Sequence, residues 1–379
     1  MESVFLVELP VYGKDLLAIE KMVCESRILF PGNYLGTNAP RVVEYQHAAH
    51  EEQAQFYALF DRNVISRLVR LAAGNAVPSD AEGARATRMA AAALCFCALS
   101  NVTIEPNISL YELADSEGHV SAQREERLFR IADSCAPLAL ANVALGRSVY
   151  LDVDQSVGER IDRKYVELGG SGVEQSFTRS LRKWKLHYLL ILKTVEFTRE
   201  SNSPIVAARK LLSWQFEDAF VDASASLYCL NAISHRPPKG KMIKGIRSDD
   251  PKRTCEGARN ATWDVFLLTS FSSALKRVDG KLWSLWTADE ALRAVASHLF
   301  IRDSVDADSK LRRDMIGRWG IVDGTALTDE YFRLRDAVAL ESTSRKSHLD
   351  ETFAGVNTMI RELETKLAFP VPLRWSLTT

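Results

Sequence analysis

Apolar and polar positions along this chain fall into two kinds of block. FYALF, Phe56 to Phe60, is an unbroken apolar run that stops at Asp61. Such a run reads as a buried strand of a parallel sheet. From Asn63 to Ala73, Val64, Ile65, Leu68, Leu71 and Ala72 recur at helical spacing, and Gly74-Asn75 ends the period. An alanine-rich helix is expected over Ala84 to Leu99. A short β-branched strand follows at Asn101 to Ile104, and after Pro106 a helix starts near Ser109 to Ala114. This block therefore reads β-α-α-β-α. Ahead of it lie a strand candidate, Val4 to Leu9, and a helix candidate from Lys14 to Ser26. A turn at Pro31-Gly32-Asn33 and a polar helix through Glu44 to Gln55 complete that segment.

The middle of the chain has only the helical period. Apolar positions recur over Arg124 to Val149, Phe177 to Thr198 and Pro204 to Ser234, separated by Gly169-Gly170 and Pro237-Pro238. Alternation of strand and helix returns at Thr262 to Leu275 (helix), Leu282 to Trp286 (strand) and Asp289 to Leu299 (helix). Arg318 to Val322 reads as a last short strand, and Thr328 to Ser342 and Leu349 to Leu367 as two closing helices. The fold class expected is α/β, with a central, mainly parallel sheet flanked by helices. The segments are an extension over 1–55, a core in two halves at 56–118 and 256–325, a helical insertion over 119–255, and a helical extension over 326–379.

Composition narrows the picture. A chain of 379 residues exceeds one comfortable hydrophobic core. With 46% hydrophobic and 26% charged residues, it is ordinary globular material. The balance of 48 Lys+Arg against 49 Asp+Glu excludes a globally basic protein, though not a local basic patch. The six cysteines form no CxxC pair and no zinc spacing, so buried, reduced thiols are expected. The first residues lack a basic leader, and no run of apolar residues is long enough to span a bilayer. A cytoplasmic protein away from the membrane is the expectation.

Four carboxylates stand at the ends and beginnings of these elements. Asp61 closes the first core strand, and Glu112 lies in the helix after the second. Asp264 is placed in the first turn of its helix, and Asp289 follows the third strand. Ligands of open parallel sheets bind in the crevice at the carboxyl ends of the strands. Carboxylates converging there repel one another unless a cation neutralises them, and all-oxygen acidic sites favour Mg²⁺ or Mn²⁺.

The contexts of these acids resemble the PIN-domain family of metal-dependent nucleases. FYALFDRNVISRLV resembles the family's first strand, VTIEPNISLYELA its second strand and helix with Ser109 three positions before Glu112. NATWDVFLLTSF resembles the helix of the third acid, and LWSLWTADEAL the strand ending in Thr287-x-Asp289. The four segments occur in the family's order and cover roughly 56–118 and 256–325. Arg62 departs from the pattern, as do the separation of 152 residues from Glu112 to Asp264 and the two terminal extensions.

The resemblance implies a phosphodiesterase with one or two Mg²⁺ or Mn²⁺ ions, acting on RNA in preference to DNA. It also suits a toxin or defence effector held by an inhibitory or regulatory protein, or a homo-oligomer. Asp61, Glu112, Asp264 and Asp289 would be both catalytic and metal-holding, with Asn63, Ser109 and Thr287 in support. The rival to catalysis is a scaffold that keeps the fold and binds nucleic acid or a protein.

Plainer readings stand beside these. Asp61 and Asp289 would serve as helix caps, and Glu105 competes with Glu112. The segment from Arg236 to Arg253 carries seven basic residues, three prolines and two glycines. It reads as a mobile surface loop, with Lys239, Lys241, Lys244 and Arg247 as phosphate contacts or as a solvated linker. Arg179, Arg182, Lys183 and Lys185 bracket Trp184, which suits either single-stranded nucleic acid or a core tryptophan. His47 and His50 share a helix face without a third ligand.

Overall fold

Three of the apolar runs predicted as strands, those ending at Phe60, Ile104 and Trp286, do pair, and the computed structural model shows how. It describes residues 9–31, 40–167, 177, 181–238, 242–299, 304–340 and 342–370. The chain divides into two units: Met1–Arg179 with Ser273–Ala288, and Ser180–Ser272 with Asp289–Thr379.

The first unit holds the sheet. Its helices are α1 (Gly13–Ser26), α2 (Val42–Glu51), α3 (Arg62–Ala72), α4 (Ala81–Leu99), α5 (Asn107–Glu117), α6 (His119–Asp133), α7 (Pro137–Ala144) and α8 (Gln155–Glu167). Its strands are β1 (Leu29–Pro31), β2 (Gln55–Phe60), β3 (Thr103–Glu105) and β4 (Lys281–Trp286), in the order β1-β4-β2-β3. β2 lies parallel to β3 and β4, whereas β1 runs antiparallel to β4 at the edge. Hence the sheet is mainly parallel, within a mostly helical protein.

The register Phe60↔Trp286 brings two large rings together. Their centroids lie 5.5 Å apart, and Phe96 of α4 closes on Trp286 at 5.7 Å. Ala90 to Cys97 of α4 are all buried, so this helix fills the core with small side chains that let others approach. Five of the six cysteines are buried and Cys24 is exposed; burial pushes the Cys95 thiol up to about 12.

The second unit is helical among its described residues: α9 (Arg182–Glu200), α10 (Pro204–Glu217), α11 (Ala223–Ile233), α12 (Pro251–Leu275, its last turn in the first unit), α13 (Glu290–Leu299), α14 (Ser304–Trp319), α15 (Ile321–Leu340) and α16 (Ser342–Lys366). Trp184 to Leu192 of α9 are buried without a break. A helix buried on every side is a central one, and α10, α11 and α16 pack on it. Among the described residues, no helix is long and apolar enough to cross a membrane.

Several expectations need correction. Within the 1–55 segment, Ile19, Val23, Val42 and Tyr45 belong to the same core as Phe60 and Trp286. Helices α6, α7 and α8 fall in the sheet unit, and α15 and α16 in the second unit with α9. Arg318 to Val322 is no strand, because Gly320, at φ 86°, turns α14 into α15. The long segment Pro204 to Ser234 is two helices, with the Asp222 carboxylate capping the second through Ala225 N–H. The strand candidate Val4 to Leu9 lies almost wholly outside the described residues.

Candidate active site

Two parallel strands of the first unit end side by side, β2 at Asp61 and β4 at Thr287. The backbone fixes both residues. Asp61 N–H donates to Trp286 O at 2.9 Å, and Thr287 N–H donates to Ile28 O at 2.9 Å. Both side chains are buried, Asp61 at 4% exposure and Thr287 at 0%. An Asp just before a helix ordinarily turns its carboxylate onto the first backbone N–H groups. Asp61 does not, since its side chain makes no cap bond to α3. Its Oδ2 instead accepts from Thr287 Oγ1 at 2.8 Å and from Asn63 Nδ2 at 3.2 Å. Asn63 therefore orients a carboxylate from the first turn of α3.

Ser109 fastens the next helix to the same strand end, its Oγ donating to Phe60 O at 2.6 Å. Glu112 follows three residues later on the same face of α5. Its carboxyl is pushed up to about 8, first by burial of the group, then by the charge of Asp61, while Arg62 works in the opposite sense. Arg62 itself grips Glu125 of α6 at 2.7 and 3.1 Å. Glu105, the rival of Glu112, closes β3 and accepts from Asn107 Nδ2.

The second unit holds the other two acids. Asp264 is not in a first turn, because α12 begins at Pro251, and it stands mid-helix. Pro at a helix start is favourable, since its missing N–H has no partner there. Asp264 Oδ2 accepts from Tyr228 OH at 2.9 Å, and the same phenol lies 2.8 Å from Met242 O. One phenolic proton thus serves two acceptors. The Tyr228 phenol is held well above its ordinary range by burial, then by the charge of Asp264 and of Asp289, so it remains a donor. Nothing in the sequence marks Tyr228, which lies 36 residues from Asp264. Asp289 caps α13: its Oδ1 accepts from the N–H groups of Ala291 at 2.6 Å and Leu292 at 3.1 Å.

The basic segment departs from the mobile loop expected. Lys239 and Lys241 lie outside the described residues, while Lys244 and Arg247 are exposed. The turn around them is tied down. Thr254 Oγ1 donates to Gly245 O at 2.8 Å, and Arg199 reaches Ser248 O at 2.7 Å. A Cβ at Gly257 would stand 1.8 Å from Lys244 O, so only glycine allows this backbone against α12. In the second basic cluster Arg179 lies outside the described residues, Trp184 is core and stacks on Tyr188, and buried Lys185 donates to Asn357. His47 and His50 are on the surface. Among the described residues, no three His, Cys, Asp or Glu side chains gather into a group that could hold a metal ion. Neither a protein-family model, nor a curated protein, nor a solved structure matches the chain.

Proposed function

We propose that this protein is a metal-dependent endonuclease, hydrolysing phosphodiester bonds in RNA in preference to DNA. One observation carries the reading: a buried aspartate at the carboxyl end of a parallel strand leaves its helix uncapped and is held by Thr287 and Asn63 instead. Orienting bonds of that kind belong around carboxylates whose direction matters. Glu112 adds a second carboxyl that feels the charge of the first. This donor set fits a hard divalent cation, because Mg²⁺ is commonly held by one or two carboxylates together with waters and substrate phosphates. A bound ion of this class supplies an ionised water near neutral pH and stabilises the leaving oxygen. The chain's own part is to keep Asp61 fixed through Thr287 and Asn63, and to hold Glu112 on α5 through the Ser109 bond to Phe60. The preference for RNA and a role as toxin or defence effector rest on the resemblance of the four segments alone.

The test is cleavage of end-labelled RNA and DNA with Mg²⁺ or Mn²⁺ by the wild type, Asp61→Asn and Glu112→Gln. Cleavage by the wild type alone is the expected result. A second reading is a non-catalytic scaffold that keeps the fold and binds nucleic acid or a protein. It prevails if the wild type cuts neither strand with either ion.

A further inference from the structure

The exposed face of α3 leads away from Asp61 and is basic. Asn63, Ser66, Arg67 and Arg70 fall at i, i+3, i+4 and i+7, a single helix face, while Val64, Ile65, Leu68 and Leu71 are buried on the other. With 1.5 Å of rise per residue, Arg67 and Arg70 stand about 9 and 14 Å along the axis from Asp61. The neighbouring helix α4 carries a second pair, Arg85 and Arg88, again three apart. The helices meet where Arg67 Nη1 reaches Thr87 Oγ1 at 3.5 Å, next to Arg88. Arg88 is positioned too, since its guanidinium lies over Gly146, where a Cβ would come within 3.2 Å of Cζ.

Near-neutral proteins ordinarily intersperse charges of both signs. Arg62, Arg127, Arg130 and Arg147 of this unit each have a carboxylate partner. Arg67, Arg70, Arg85 and Arg88 have none within 4.0 Å among the described residues. Arg70 and Arg85 are exposed, and Arg67 and Arg88 half-buried. Four uncompensated guanidiniums on two touching helices, one of which starts at a carboxylate pair, suit a polyanion with evenly spaced charges. We infer that the α3–α4 face binds the sugar-phosphate backbone of a single nucleic-acid strand and leads it to Asp61. This rests on the nuclease reading for what happens at Asp61, but not for the binding itself. The chemistry is shared by RNA and DNA strands. It lies apart from the lysine segment around Lys244.

The test is fluorescence anisotropy with labelled oligouridylate and oligothymidylate of about 20 nucleotides, long enough for a single-strand groove. Binding is followed in EDTA against KCl concentration, with the full chain. Each backbone phosphate contact contributes a slope of about −0.7 in log K against log salt on single strands. Arg70→Gln/Arg85→Gln is therefore expected to lower the slope's magnitude by about 1.4, and to weaken low-salt binding about tenfold. Both positions are exposed, and an unchanged melting curve checks the fold. Arg70→Lys/Arg85→Lys retains the slope. The two oligonucleotides tell which sugar is preferred. Unaltered affinity and slope in the glutamine variant, or a wild type that binds neither strand, overturns the inference. Should the protein bind as expected and cleave nothing with Mg²⁺ or Mn²⁺, the arginine face stands and the nuclease reading falls. Cleavage with binding indifferent to these arginines is the opposite result.

Discussion

β2 of the first unit and α9 of the second lie in the cores of their units, and they place polar groups by different means. β2 ends in Asp61, whose backbone N–H joins the ladder to Trp286 and whose position follows from strand register. α9 has no register to share. Around it, polar groups are held by side-chain bonds: Tyr188 to Glu364 at 3.1 Å, Lys185 to Asn357 at 2.9 Å. Asp264 belongs to this second kind, held by Tyr228. An acid placed by a sheet keeps its position when its side chain changes, whereas an acid placed by a side-chain bond is part of what that bond holds together. Asp61 should accordingly tolerate substitution in folding and not in function. Asp264 should be sensitive in folding.

The largest effect tests this directly. Asp61→Asn is expected to reduce metal-dependent cleavage by at least about 10²-fold, the scale of losing a group that stabilises developing charge, with a melting midpoint near that of the wild type. Asp264→Ala should melt earlier, because the buried Tyr228 hydroxyl then loses one of its two acceptors. Equal stability of the two variants would erase the distinction.

Next comes Trp286→Ala. The side chain is fully buried between Phe60 and Phe96, so a loss of about 3–5 kcal/mol is expected in urea unfolding. Since Trp286 immediately precedes Thr287, the same change should loosen the bond to Asp61. A variant that is destabilised yet cleaves at the full rate would show that the strand end is not what orients Asp61.

Glu112 gives a smaller effect of opposite sign. Its carboxyl sits at about 8 in the fold against an ordinary 4.5. The folded chain therefore keeps a proton that the unfolded chain releases. Stability from this group is complete below pH 4.5 and falls as pH rises toward 8. Because the side chain is partly exposed, the loss at pH 8 is about 1–2 kcal/mol. In EDTA, Glu112→Gln is expected to melt higher than the wild type at pH 8 and alike at pH 4, as differential scanning calorimetry would show. The same midpoint difference at both pH values counts against the shift.

The smallest effect is expected at Tyr228→Phe. The hydroxyl is lost from a buried, doubly bonded position, at a cost of about 1–2 kcal/mol in chemical denaturation. No loss at all would mean that water replaces it and that Asp264 is held otherwise.

The sequence made the ends of β2 and β4 legible, because an apolar run stopping at Asp61 or Thr287 has few other readings. β1 was not legible. Leu29–Pro31 spans three residues and ends in proline, and only its pairing with β4 makes it a strand. The Trp319-Gly-Ile-Val322 stretch misleads in the other direction: Ile321 and Val322 are 75% and 81% exposed, so their β-branched pattern reports no buried strand. The division into units escaped the sequence as well, since an apolar helix face does not say which core it joins. At the site, Asp61 and Asn63 lie two residues apart and could be linked by reading. Tyr228 and Asp264 required the fold.

One bond has a consequence for how the molecule is made. Asp61 and the Thr287 that orients it are 226 residues apart. Synthesis proceeds from the N-terminus at about 5–20 residues per second. β2 consequently emerges from the ribosome roughly 10–45 seconds before β4 exists to lie beside it. During that interval its apolar run has β3 on one side and an open edge on the other. The first unit cannot finish folding as it is made, and must wait for the whole of the second unit's first stretch, Ser180–Ser272, to be translated. A cell making this protein therefore carries one edge of β2 unpaired for that time, with Asp61 not yet held by Thr287. Slowing translation between codons 61 and 287 is thus a way to raise aggregation without changing a single amino acid.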